Sequence, residues 1–526
     1  MRLGRGVGLF AFLCATVACG SSSSPRAADD AGGSGSGGSS SGSQGGSSGG
    51  NPQSTYDGAA PPPPAATCDI PAALVDVSKP TSVVGAGTAA SCTEEAFAAA
   101  VAGGGIVTFD CGPTPVTITV TSEVMVSQDT TIDGGKLVTL SGGQSTRILH
   151  IASAWNLATP LLTVQNLTFA DGFTTDVPNT TSTAQGGAAI FEDGGSLTVI
   201  DCTFANNQCA SSGQDVSGGA INGQGVGTLI VEGSTFTGNS GSNGGAVGTQ
   251  DENVTVVNST FLGNSATGTG GNPGNGGDGG ALSFDGATVS LSLCGDTFSE
   301  NYAGAQGGAV FRVAYHDELV NIDRSTFDGN SVDPSVGNAG GLYLEYATIA
   351  MTATTISRNS AHFGGGIWIG HNAVAELTND TIADNTATMG GGVWFAGGVT
   401  GMLLNVTVAG NAGNGMAGGD TGVTLQNTLV SGNTRGSLEG EVSCDHGHAG
   451  AGSNMEYPDD PSSPCTPAVV VADPALGPLE DNGGVTETMV PAPGSPAIGQ
   501  GSGCPPSDQG GHTRQAACTL GAVEVP

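Results

Sequence analysis

The feature that most constrains this chain is a repeat. An apolar residue followed three positions later by Asn recurs through its middle: Phe204 with Asn207, Phe236 with Asn239, Phe261 with Asn264, Phe298 with Asn301, Phe327 with Asn330, Ile356 with Asn359, Ile382 with Asn385, Val408 with Asn411 and Val430 with Asn433. Phe169 opens the series with Gly172 in the Asn place. Five residues before every anchor stands another apolar residue, from Val164 to Leu425, and Thr directly precedes every anchor except Val430, which follows Leu429. Apolar residues seven and five places before the anchor alternate as in a strand, so both side chains enter a core. Three places before it stand mostly Asn, Asp or Gly, such as Asn166, Asp201, Gly233 and Asn258. These residues tolerate left-handed backbone and redirect the chain so that the anchor also points inward.

Stacked coils would align the Asn residues amide to amide. Asn207, Asn239, Asn264, Asn301, Asn330, Asn359, Asn385, Asn411 and Asn433 are therefore expected to form a structural ladder rather than to act in catalysis. Replacing one, such as Asn264, by Ala is expected to cost about 1 kcal/mol. After each Asn comes a glycine-rich step into a short β run, for example Gly218-Gly219-Ala220-Ile221 and Gly364-Gly365-Gly366-Ile367. A phosphate-binding glycine pair would open a helix instead. Anchor spacing falls from 37 residues between Phe261 and Phe298 to 22 between Val408 and Val430. About 22 residues suffice for three short strands and tight turns. They are too few for the four strands of a propeller blade, and no Leu-rich helical segment of a leucine-rich repeat is present. The expected fold is all-β: a single right-handed parallel β-helix with a short N-terminal helical cap and a disulfide-rich C-terminal cap.

The glycine pair joined to the F-x-x-N step resembles the repeats of the polymorphic outer membrane protein family, over roughly residues 160–435. Upstream, the strings at 93–111 and 130–135 look like the helical opening of secreted β-helix proteins. Downstream, the strings at 473–501 and 508–524 resemble the closing region of bacterial surface proteins with variable, choice-of-anchor attachment. The resemblance implies an extracellular β-helix and supplies no catalytic residue.

Residues 1–19 read as an export signal, with Arg2 and Arg5 before an apolar run too short to span a bilayer. The run ends in Thr16-Val17-Ala18-Cys19-Gly20, which resembles a lipoprotein lipobox with Thr16 in place of the usual Leu. Cys19 is thus the expected lipid anchor, with plain cleavage and secretion as the alternative. Residues 20–66, rich in Gly, Ser and Pro, form a linker. The remaining boundaries are 67–159 for the cap and first coils, 160–435 for the repeats and 436–526 for a C-terminal capping region.

Of twelve cysteines, Cys14 and Cys19 fall in the export segment, leaving an even number in an exported chain. Sequence proximity favours Cys92 with Cys111, Cys202 with Cys209, Cys444 with Cys465 and Cys504 with Cys518, and leaves Cys68 and Cys294 over. No metal site and no cofactor is expected. The net charge of −35 excludes nucleic acid as a partner, because phosphate contacts need clustered Lys and Arg.

Parallel β-helices also carry pectin-degrading activities, so enzyme motifs need weighing. Pectate lyases resemble the fold and carry a WIDH string; here Trp368-Ile369-Gly370-His371 lacks its carboxylate. Asp445-His446-Gly447-His448 is a fragment of a polygalacturonase pattern. Asp459-Asp460 reads as a solvated turn, and Arg312, Arg324, Arg358 and Arg435 fall in different columns. The expectation is a non-catalytic binding or structural surface module, contacting membrane only through a lipid, with a carbohydrate or surface protein as ligand. The alternative is a polysaccharide-degrading enzyme. The longest insertions lie between the anchor Asn and the glycine pair, at 173–185 and 265–278, which would line one edge of the rod.

Overall fold

Thr93 starts the one α-helix among the described residues, Glu94–Gly103, by accepting a hydrogen bond from the Ala96 N–H. The computed structural model describes residues 68–174, 183–419, 422–435 and 442–525; Cys19, the export segment 1–19 and the linker 20–66 lie outside them. The helix buries Phe97, Ala100 and Val101 against the first strands of the core. No helix among the described residues is long and apolar enough to cross a membrane.

From Ser82 onward the chain winds as a right-handed parallel β-helix. A first sheet of 14 strands runs from Ser82–Gly85 to Ala449–Ala451, and a second of 14 runs from Val116–Thr119 to Val470–Val471. The third sheet has 11 strands, from Val124–Val126 to Met416–Gly418. Four coils add a two-residue strand after the Asn, the first being Ser240–Gly241 and the last Ser331–Val332. That short fourth sheet was not expected from the repeat.

The anchors form the three-residue strands of the second sheet in unbroken register, Phe169 beside Phe204, Phe236, Phe261, Phe298, Phe327 and then Ile356. Their six rings stack at 4.6–5.0 Å between centroids and within 8° of parallel. All six are fully buried. Each burial is worth about 2 kcal/mol and each ring pair about 1 kcal/mol more.

At the corner after the second sheet, each Asn amide donates to Oδ1 of the Asn in the next coil, from Asn207 to Asn239 through to Asn411 to Asn433, at 2.9–3.0 Å. The same Nδ2 also donates to an anchor carbonyl in the preceding coil, as Asn264 does to Phe236 at 3.0 Å. At the corner before the second sheet runs another ladder that the sequence reading missed. There the N–H groups of Cys202, Ser234, Ser259, Asp296, Ser325 and Thr354 donate to side-chain oxygens of Ser234, Ser259, Asp296, Ser325, Thr354 and Asp380. The turn leading into it takes positive φ in every coil, including at Arg324 (46°) and Ala353 (52°). Gly218 shows why glycine opens the third sheet: its φ is +73°, and a Cβ there would lie 1.8 Å from the Ile221 carbonyl oxygen.

The disulfides join Cys92 to Cys111, Cys444 to Cys465, Cys504 to Cys518 and Cys68 to Cys294. The expected Cys202–Cys209 bond is not formed, and both remain buried thiols. They flank the strand Thr203–Ala205 and sit at opposite corners of one coil, Cys202 in the main core and Cys209 in a separate cluster with Ala188, Ala210 and Val216. Bridging needs Cα atoms within about 7 Å, which an extended strand between them prevents. Cys202 occupies the serine place of the corner ladder, and burial pushes its thiol up to about 12.

Two segments run along the outside of the rod. Residues from Cys68 to Val75 bond to Asn258, Glu232 and Gln165 in three different turns, and the Cys68–Cys294 bond pins their start. Beyond the last coil, the chain folds back over the second sheet. Glu487 accepts from Thr355, Ser507 from Asn379, and Gln509 bonds to both Thr381 and Thr355. Arg514, 8% exposed, donates to Asn379 and to Glu524.

Candidate functional site

Alternate residues of each third-sheet strand point outward. In register along the rod they read His150, Phe191, Asn222, Gly248, Ser283, Phe311, Tyr343, Trp368 and Trp394. From Phe311 to Trp394 the rings stack at 5.2–5.8 Å and within 20° of parallel. Stacked rings cover one another's faces, and Phe311, at the end of the column toward Ser283, is itself buried at 5% exposure. Trp368, from the Trp368-Ile369-Gly370-His371 string, belongs to this outer column.

Where the row turns small and polar, the insertions at 208–217 and 267–278 fold over the sheet. Gly248 permits the approach, since a Cβ there would lie 1.8 Å from Ser217 Oγ. The result is a narrow cleft with a cavity volume of about 40 Å³. Its floor is Asn222, Gln224, Gln250, Ser283, Asp285 and Phe311, and its wall includes Gln214, Asp215, Asn243, Asn272 and Asp278. No cationic side chain is among the lining residues.

Asp278 is the chemically distinctive group. It is 1% exposed, and neither carboxyl oxygen has a hydrogen-bond partner. Burial first, and then the charge of Asp285, push its carboxyl up to about 7. The same two causes raise Asp215. A carboxyl in this state can accept or donate a proton near neutrality, and it lacks the partner that a ligand hydroxyl would supply. Tyr315 donates to Asp285 at 2.9 Å, and Glu345 holds His371 at 2.8 Å farther along the face.

The residues weighed from sequence fall elsewhere. Arg312 is fully buried inside the rod, donating to the carbonyls of Gly286, Val289 and Val313 and lying 4.3 Å from the Phe284 ring centroid. Arg324 pairs with Asp323, and Arg358 bridges Asp328 and Glu487. Asp445 holds His446 at 2.5 Å and accepts from the Gly418 N–H, at the far end of the third sheet. Burial and the neighbouring His446 depress His448 to about 4. Asp460 is buried rather than solvated, accepting from the Ser462 and Val442 N–H groups. Among the described residues, the one group of three metal-type side chains is Cys68, Cys294 and Asp323, and its two sulfurs are joined to each other.

Sequence reasoning missed Asp278 and the aromatic column. A signal for both was present. Asp278 directly precedes the Gly279-Gly280 pair, and the residue after each first apolar position of the third sheet changes from Asn222, Gly248 and Ser283 to Phe311, Tyr343, Trp368 and Trp394.

Residues 308–453 match the family model described as a right handed beta helix region. No curated protein matches the chain. Among solved structures, the chain is similar to the periplasmic alginate epimerase AlgG, with 12% identity, coverage of 65% of this chain and 77% of that one, and a TM-score of 0.37. It is similar to PfbA, a surface adhesin of Streptococcus pneumoniae, with 13% identity, 61% and 89% coverage, and a TM-score of 0.34. It is also similar to the A-module of the Azotobacter vinelandii mannuronan C-5 epimerase AlgE4, with 14% identity, 73% and 96% coverage, and a TM-score of 0.28. At these identities the likeness is one of fold alone.

Proposed function

We propose that this is an extracytoplasmic glycan-binding protein that engages a neutral saccharide at the mouth of the third-sheet cleft. The observation that carries the reading is the lining itself. Side-chain amides and carboxylates supply paired acceptors and donors for hydroxyl groups, and the part of Phe311 that lines the cleft adds an apolar contact. Asp215, Asp278 and Asp285, with no cation beside them in the lining, repel a polyanion. The insertion loops build the wall, as in other repeat proteins that bind through one edge.

Calorimetric titration with neutral, amino-bearing and uronic acid oligosaccharides tests this. Neutral oligosaccharides are expected to bind, with Phe311→Ala and Asp278→Ala each weakening them roughly tenfold, the loss of about 1.4 kcal/mol. Equal or tighter binding of uronic acid oligomers would overturn the reading. Four disulfides suit an oxidising compartment. Lipid attachment at Cys19 is part of the proposal, and Cys19→Ser is expected to move the protein from the membrane to the soluble fraction.

One observation favours a second reading. A buried carboxyl held near pH 7 in a cleft is also what general acid–base catalysis requires. Release of reducing ends from a neutral polysaccharide, abolished in Asp278→Asn, would replace the binder by a hydrolase.

A further inference from the structure

On the opposite side of the third sheet, the inward row runs Ile151, Glu192, Gly223, Thr249, Phe284 in register. Ile151 and Phe284 belong to the apolar core. Glu192 stands in the same row, and Glu252, just past the strand Val247–Gln250, enters the same space. Both glutamates are 0% exposed. The two carboxyls share a hydrogen bond with each other and have no other partner, and Thr249 Oγ1 has none.

Gly223 makes the room. A Cβ there would lie 1.9 Å from Glu252 Oε2 and 3.5 Å from Glu192 Oε2, so the two carboxyls converge on the space this glycine leaves. A Cβ at Gly227 would lie 1.9 Å from the Gly195 carbonyl oxygen and 3.1 Å from Glu252 Oε1, which brings a main-chain oxygen to the same gap. The neighbouring cation cannot serve, because Arg312 lies two strands farther along the row and donates to carbonyls there.

Two desolvated carboxyls whose one partner is each other can pair only by holding a proton between them, which burial favours by raising both. A cation in that place removes the repulsion of the ionised pair and supplies the missing partners. We propose that Glu192 and Glu252, with Thr249 beside them, hold one Ca²⁺ ion inside the rod. The donors are all oxygen, which selects a hard cation. A protein-only cage favours Ca²⁺ over Mg²⁺, which keeps several waters in a strict octahedron. The ion would tie the third sheet to the corner leading into the first sheet, under the floor of the cleft. The site is independent of any saccharide.

The test uses the full-length protein. After gel filtration in micromolar CaCl₂, elemental analysis is expected to find about one Ca²⁺ per chain. EGTA should lower Tm by roughly 4 °C and added CaCl₂ should restore it. Glu252→Gln and Glu192→Gln should lose both the ion and the shift, whereas Asp278→Asn keeps them. Should the glutamine variants fail to fold, retention by the wild type and its reversal by EGTA decide alone. Absence of retained Ca²⁺ and an unchanged Tm in EGTA would overturn the proposal and leave two protonated carboxyls. Loss of the ion in Asp278→Asn with retention in Glu252→Gln would overturn it too, by placing the ion in the cleft.

Discussion

Asn264 uses one oxygen of Asn301 twice: its backbone N–H and its Nδ2 both donate to Asn301 Oδ1, at 2.9 and 3.0 Å. Asn301→Ala therefore strands two buried donors at once. The expected cost is about 3 kcal/mol, larger than the 1 kcal/mol that a single amide bond suggests. Asn207, at the start of the ladder, accepts from the Gly172 N–H, so Asn207→Ala should cost about 1.5 kcal/mol. Thermal or denaturant unfolding of the two variants measures the difference.

Cys202 and Cys209 should be inert in the native state, since both are buried and the Cys202 thiol is pushed up to about 12. Under native conditions without reductant, iodoacetamide is expected to label neither. After unfolding, peptide mapping of the described region should find label on these two cysteines and on no other. Label on Cys68 or Cys294 instead would contradict the observed pairing.

The C-terminal segment should act as a strap as well as a cap. Truncation at Gly436 removes the partners of Thr355, Asn379, Thr381 and Asn405 along the second sheet. It also exposes the end of the core, where strand edges and apolar cross-section invite association. Aggregation in light scattering is the expected outcome, and a stable monomer would remove both roles. The point variant Arg514→Ala leaves Glu524 buried without its cation and should cost about 3 kcal/mol.

Asp278 makes one contribution to the pH dependence of stability. Its folded carboxyl titrates at about 7, above the unfolded value of 3.8, so the folded state binds the extra proton between them. Its stabilising contribution is fully present below pH 3.8 and is lost as pH rises to about 7. Tm profiles of wild type and Asp278→Asn over that window should converge at low pH, and the variant should lose less on going to pH 7. A bound saccharide should flatten the wild-type profile, because ligand hydroxyls then satisfy the ionised carboxylate.

The repeat by itself determined the rod. A strand's two-residue alternation decides which side chains enter a core, so Val164, Val199 and Val231 with Phe169, Phe204 and Phe236 are legible as inward columns. The Asn ladder is legible for the same reason, because equal spacing from the anchor puts each amide at one corner. Outward chemistry was decided only by the tertiary structure. Asp278 is buried because an insertion folds over Gly248, and nothing local to residue 278 specifies that approach. Cys68 meets Cys294 across 226 residues because a strap runs back along the rod, while Cys202 and Cys209, seven apart, face different clusters. Periodicity carries direction relative to a strand, but contact between loops, straps and successive coils depends on where insertions of unequal length come to rest.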